Sequence, residues 1–179
     1  MPDITGLLES EIPRLRRYAR ALTRDAARAD DLVQSCLVRA LTKQHLWREG
    51  TDLRAWLFTI LHNLHVNEVR RSVRDGAAVP VEDVATALPV KESASDCLRL
   101  RDLDRALGRL PEEQRQIVLL AGLEGMRYEQ IAQILDIPVG TVRSRLSRGR
   151  EMLRVLIGTE EKTAASARAS AASETPFAA

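Results

Sequence analysis

The sequence predicts an all-α protein made of two small helical domains joined by a flexible linker. Three observations carry that prediction. Aromatic residues are only 3% of the 179, while Leu, Ala and Arg dominate; this suits packed helices and denies a β-sandwich the strand-forming runs it needs. Apolar residues recur at helical spacing through most of the chain. That periodicity is lost over residues 75–93, where Gly76, Pro80 and Pro89 stand among scattered Ala and Val.

The first block, residues 1–75, reads as three helices. Leu8, Ile12, Leu15, Ala19 and Leu22 form one stripe. Ala29, Leu32, Val33, Cys36, Leu37, Ala40 and Leu41 form a second without a miss, and Leu53, Trp56, Leu57, Ile60, Leu61 and Leu64 form a third. Asp52 stands where it would cap that third helix, so Leu46–Asp52, which contains Gly50, reads as a loop. Residues 76–94 read as an acidic linker. Helical spacing resumes near Ser95 with Leu98, Leu103, Ala106 and Leu107. Pro111 followed by Glu112 and Glu113 starts another helix, because proline lacks a donor that position does not need and the acids face the positive end of the dipole. The second block ends near residue 157. Residues 158–179 are rich in Ala and Ser, bury little, and are expected to form a disordered tail.

Composition narrows the function. The net charge of +2 conceals two basic blocks, each +3, separated by residues 76–98 at −3. The apolar fraction of 45% excludes wholesale disorder. No apolar run approaches the roughly 20 residues of a membrane helix, and the first arginine is Arg14, so a secretory signal is not expected and a cytoplasmic location is. Cys36 and Cys97 lack any metal-ligand spacing and read as buried thiols. His62 and His65 are three apart but have no third ligand in view, Ser35 and Cys36 have no His–Asp set, and no glycine-rich phosphate loop occurs. An enzyme, a cofactor or a small-molecule substrate is therefore not expected.

Residues 127–154 carry the functional argument. Tyr128, Ile131, Ala132 and Leu135 share one face of a helix, Asp136-Ile137-Pro138 interrupts it, and a second helix begins around Val139–Thr141. That is the punctuation of a helix-turn-helix. At about 100° per residue, Val142, Leu146, Gly149, Leu153 and Leu156 fall on one side of the second helix. Arg143, Ser144, Ser147, Arg148 and Arg154 fall on the other. An arginine fork matches a guanine edge or a phosphate, and serine lets a helix approach the groove floor. A solvated basic face is the alternative, but it does not explain the turn and the apolar seam that accompany this one.

Tyr128-Glu129-Gln130-Ile131-Ala132 through Pro138-Val139-Gly140-Thr141-Val142-Arg143-Ser144-Arg145 resembles region 4 of sigma factors, in particular the extracytoplasmic-function (ECF) class. Ala29-Asp30-Asp31-Leu32-Val33-Gln34 and Leu53-Arg54-Ala55-Trp56-Leu57-Phe58-Thr59-Ile60 with Asn63 resemble region 2. The string Gly50 to Leu61 resembles the general-stress-response branch. No further sigma region fits in residues 75–93, as expected of the ECF class. The resemblance implies a region 2 bundle of three to four helices, a region 4 helix-turn-helix, and a factor that directs core RNA polymerase to promoters.

The resemblance also implies roles. Asp30, Asp31, Val33, Gln34 and Arg39 would meet the β′ clamp helices, and region 4 would meet the β flap. Trp47, Arg48, Thr51, Asp52, Asn63, Arg70 and Arg71 would meet the opened −10 element, with a flipped base held by the loop. For Trp47, stacking on a base and anchoring the loop stay open as alternatives; Trp56 reads as core. Arg127, Tyr128, Thr141, Arg143, Ser144, Ser147 and Arg148 would meet the −35 element, the first two through phosphates. An anti-sigma protein is the expected regulator. Two rival readings are a stand-alone helix-turn-helix regulator and a helical polymerase adaptor that does not read DNA.

Overall fold

A computed structural model describes the backbone of residues 4–75 and 94–173, with side chains over 4–75 and 99–158. The regular elements among these residues are all helical. They are α1 (Ile4–Thr23), α2 (Ala26–Thr42), a short 3-10 turn (Gln44–Leu46), α3 (Leu53–Arg74), α4 (Ala94–Gly108), α5 (Glu112–Gly122), α6 (Tyr128–Leu135) and α7 (Val139–Ser173).

In the first module the α1–α2 reversal is made by Arg24 in the left-handed region at φ +58°, after which the Asp25 carboxylate accepts from the Arg28 N–H at 2.9 Å and caps α2. The three apolar stripes then face one another. Leu15, Tyr18, Ala19 and Leu22 pack on Val33, Cys36 and Ala40 and on Leu57, Phe58 and Leu61, all buried. Tyr18 meets Phe58 edge-on, with ring centroids 5.1 Å apart. Burial pushes the Cys36 thiol up to about 12, so it is an inert core residue; Cys97 lies outside the described side chains.

In the second module Pro111 is the residue before α5, one position earlier than the sequence suggests, and Glu112 and Glu113 fill the first turn. Asp136 ends α6 at φ +52°, a conformation a short polar side chain tolerates. The Pro138 carbonyl accepts from the Thr141 N–H at 2.9 Å and so opens α7. Ile117, Leu120, Ile131, Ile134, Val142 and Leu146 form the core. Gly149 permits close contact of α7 with α5: a Cβ there would lie 2.9 Å from Val118 Cγ2.

Two expectations change. The segment from residue 158 is not without regular structure, since α7 continues to Ser173. Alanine is the best helix former, and extending an existing helix adds one hydrogen bond per residue without a new nucleus. The modules also do not stand apart: α5 packs on α1 and α6 packs on α3. The linker residues 76–93 lie outside the described backbone.

Candidate nucleic-acid interface

The seam found by angle alone is the one the fold uses. Val142, Leu146 and Gly149 are buried against α5 and α6, and Leu153 and Leu156 are half-buried. Arg143, Ser147 and Arg148 are exposed on the opposite side, with Thr141 and Ser144 half-buried at its start. The Ser144 hydroxyl donates to the Thr141 carbonyl at 3.1 Å, which holds it close to the helix. None of the ion pairs among the described residues involves Arg143 or Arg148, so two guanidinium forks face solvent uncommitted. Arg145, between them, is different: it pairs with Glu113 at 2.7 Å.

Tyr128 adjoins this face. It lines a groove of about 310 Å³ with Arg143, Ser147, Arg150 and Arg154. Arg150 extends the basic strip beyond the residues the sequence singled out. The angular sort had already put Arg154 there, while Arg150 was visible only as one more arginine in a basic run. Arg127 is exposed at the start of α6, its backbone N–H donating to Gln130 Oε1 at 2.9 Å.

The second set of candidates surrounds α3. Gly50 at φ +85° allows the tight turn in which the Thr51 hydroxyl donates to the Arg48 carbonyl at 2.6 Å. Asp52 caps α3 through the Ala55 N–H at 3.1 Å. Trp47 is half-buried and its indole N–H has no hydrogen-bond partner among the described groups. Arg48, Thr51, Asp52, Asn63, Arg70 and Arg71 are exposed. Asp52, Asn63 and Arg70 are 11 and 7 residues apart, about three turns and two, so they share one side of α3 over roughly 27 Å.

The polymerase candidates divide. Asp31, Gln34 and Arg39 are exposed and line a broad groove of about 710 Å³ with Val38, Lys43 and Leu64. Val38 is 64% exposed and Leu46 59%, an apolar content that the charged candidates alone did not suggest. Asp30 is partly engaged by Arg16 at 3.6 Å and Arg20 at 3.9 Å on α1. Val33 is a correction. It is only 2% exposed because it belongs to the inward stripe of α2, so its side chain cannot meet a partner.

A third cluster, which the sequence reading did not find, joins the modules. The Glu124 side chain is 0% exposed and is held by Arg17 at 2.8 Å and Arg54 at 2.9 Å. Arg54 also donates to the Glu124 carbonyl, and its guanidinium lies 5.9 Å from the Phe58 ring centre. Nearby, His65 Nε2 lies 2.7 Å from Glu112 Oε1. Burial would raise the Glu112 carboxyl, but bonds from His65, Arg115 and Gln116 and the Arg115 charge prevail and bring it down to about 2. Burial, then the neighbouring His65, lowers His62 from its ordinary value.

Residues 8–62 match the family described as the sigma2 domain of PhyR, and residues 100–153 match sigma-70, region 4. The ECF RNA polymerase sigma factor EcfG of Rhodopseudomonas palustris (strain TIE-1) is 39% identical over 150 residues, covering 82% of this chain and 80% of that protein. This chain belongs to the ECF sigma factors.

A second relative, the RNA polymerase sigma factor CarQ of Myxococcus xanthus, is 31% identical over 155 residues, covering 87% and 89% of the two chains. Among solved structures, the sigma factor RpoE in complex with the anti-sigma factor NepR from Bartonella quintana aligns with a TM-score of 0.77 and 37% identity over 88% of this chain and 98% of that one. CnrH, in complex with the cytosolic domain of CnrY, shares the fold at a TM-score of 0.63 and 24% identity over 87% of each chain. The sigma factor is thus related to the general-stress-response branch, in agreement with the string Gly50 to Leu61. As a sigma factor it is a non-catalytic protein that binds core RNA polymerase and directs promoter recognition. The σ2 module is α1–α3 and the σ4 module α4–α7.

Proposed function

We propose that this sigma factor reads the −35 element with the exposed side of α7 and opens the −10 element with the loop before α3 and the outer side of α3. The observation that carries the reading is the division of α7: Val142 and Leu146 inward, Arg143, Ser147 and Arg148 outward. Arg143 and Arg148 contact base edges, Ser144, Ser147 and Thr141 allow close approach, and Arg127 and Tyr128 hold phosphates. Strand opening requires tighter binding to unpaired than to paired DNA. Trp47 supplies that difference by stacking on an unpaired base, with Arg48, Thr51 and Asp52 around it and Asn63, Arg70 and Arg71 along the strand.

The exposed face of α2, with Asp31, Gln34, Arg39 and Val38 and with Asp30 at its edge, docks on the β′ clamp helices, and the σ4 module docks on the β flap. No described helix is long and apolar enough to cross a membrane, and the factor acts in the cytoplasm beside polymerase. Its likeness to RpoE, solved with the anti-sigma factor NepR, supports an anti-sigma protein as its regulator.

The test is transcription from a cognate promoter by core polymerase reconstituted with the pure chain. Selected start sites with permanganate-reactive −10 thymines are expected. Trp47→Ala should keep −35 duplex binding and lose reactivity, in line with the ~1–3 kcal/mol of one stacked base. Equal reactivity in mutant and wild type would leave Trp47 as a loop anchor.

A further inference from the structure

Arginine is placed unevenly around α7. With Val142 at 0° and about 100° per residue, Arg143, Arg150 and Arg154 all fall at about 80–120°, in one line along the flank beside Tyr128. These four residues line the groove of about 310 Å³. Arg150 is exposed and takes part in none of the ion pairs among the described residues. Arg154 pairs with Glu151 at 2.6 Å, but both side chains are well exposed, so water and salt screen the contact. The opposite flank, at about 280–300°, carries Met152 and Arg145. Met152 is apolar and exposed, and Arg145 is held by Glu113 at 2.7 Å. Val155, 60% exposed, stands between that flank and the outward face.

This asymmetry has a consequence for a helix seated in DNA. An α-helix, about 10–12 Å across, fills a major groove about 12 Å wide. Bases then lie beneath its outward face, and the phosphates of one strand run along each flank. The line from Arg143 to Arg154 covers 11 residues, about 17 Å, twice the groove depth of about 8.5 Å. While the N-terminal residues of α7 reach base edges, Arg150 and Arg154 therefore stand level with the backbone. A guanidinium there neutralises a phosphate and releases its counterions whatever the base. On the other flank the thioether of Met152 offers a phosphate no donor, and the Arg145 fork is already engaged.

We propose that the groove beside Tyr128 is a phosphate site through which α7 grips one strand only, with Arg150 and Arg154 as its ligands next to the −35 bases. The inference rests on the −35 reading given above and deepens it. Different arginines of one helix carry different tasks: Arg148 discriminates between bases, whereas Arg150 and Arg154 add affinity that is blind to sequence. Tyr128 lies in the same groove, so the phosphate it holds belongs to the same strand.

The test uses holoenzyme and promoter duplexes in which one −35 phosphate at a time is replaced by an uncharged methylphosphonate. Wild-type binding should weaken at neighbouring phosphates of one strand and stay unchanged at those facing them across the groove. Arg150→Gln should abolish sensitivity at one of these positions and weaken binding equally for every −35 base variant. It should also reduce the slope of log K against log salt concentration by about 0.9, the share of one phosphate. Equal sensitivity on both strands would overturn the one-sided grip. So would an Arg150→Gln protein with the wild-type slope and phosphate profile, or one with altered base preference. Absence of any −35 base preference in wild-type holoenzyme would instead refute base reading by α7, and the two failures are told apart because base substitutions and phosphate substitutions are scored on separate duplexes.

Discussion

The outer side of α7 and the junction between the modules are both built on arginine, and their partners set them apart. Arg143 and Arg148 face solvent and take part in none of the ion pairs among the described residues, whereas Arg17 and Arg54 converge on Glu124, whose side chain is fully enclosed. A guanidinium facing solvent keeps its fork available for a base edge or phosphate; one held by a buried carboxylate has already spent its directional bonds inside the protein. Residue type therefore does not separate an arginine free to meet a ligand from one held inside the protein. An acid within bonding distance does, as Arg145 shows within α7 itself by pairing with Glu113.

The largest effect that sharpens this contrast lies behind the reading face. Leu146 is 3% exposed in the core of the σ4 module, so Leu146→Ala should cost about 2–5 kcal/mol of stability, followed by chemical denaturation. A loss under 0.5 kcal/mol would mean that this side of α7 does not form the seam. Next in size, Arg148→Ala should weaken −35 binding by ~1–3 kcal/mol and relax preference at one base pair, while Arg145→Ala leaves the preference unchanged. Titration of duplex probes carrying each base in turn checks both; a change of preference in Arg145→Ala would break the comparison.

The smallest effect belongs to the junction. Because the folded Glu112 carboxyl lies at about 2, below its ordinary 4.5, it contributes stability that is complete above pH 4.5 and is lost as pH falls toward 2. His62 acts with the same sign at higher pH: its lowered folded value means that acidification below 6.5 favours the unfolded, protonated form. Urea midpoints from pH 7 to pH 2 should fall in two steps, and Glu112→Gln should flatten the lower one. A lower step of undiminished size in that variant would assign it to other carboxylates. Glu112 is about a third exposed, so solvent screening keeps this term below that of Leu146.

Much of this is legible in the sequence. The 3.6-residue stripes gave α1, α2 and α3, Asp52 marked the start of α3, and the angular sort of α7 separated Val142 and Leu146 from Arg143 and Arg148. Val33 shows the limit of motif transfer, since a residue inside a polymerase-binding string can still be its inward-facing member. The Glu124 cluster was hidden for a different reason. Its partners lie 107 and 70 residues away, and no local periodicity encodes a pairing over such a separation. The extension of α7 to Ser173 departs from the expected tail because alanine favours helix even where the sequence offers little to bury.

The central claim is that the solvent-facing arginines of α7 read the −35 element. Selection of bound promoters from a random DNA pool by holoenzyme, run in parallel with wild type and Arg148→Ala, tests it most directly. One shared −10 motif is expected, with a −35 motif degraded at a single position in the variant. Identical −35 motifs from both, with equal affinity, would contradict it.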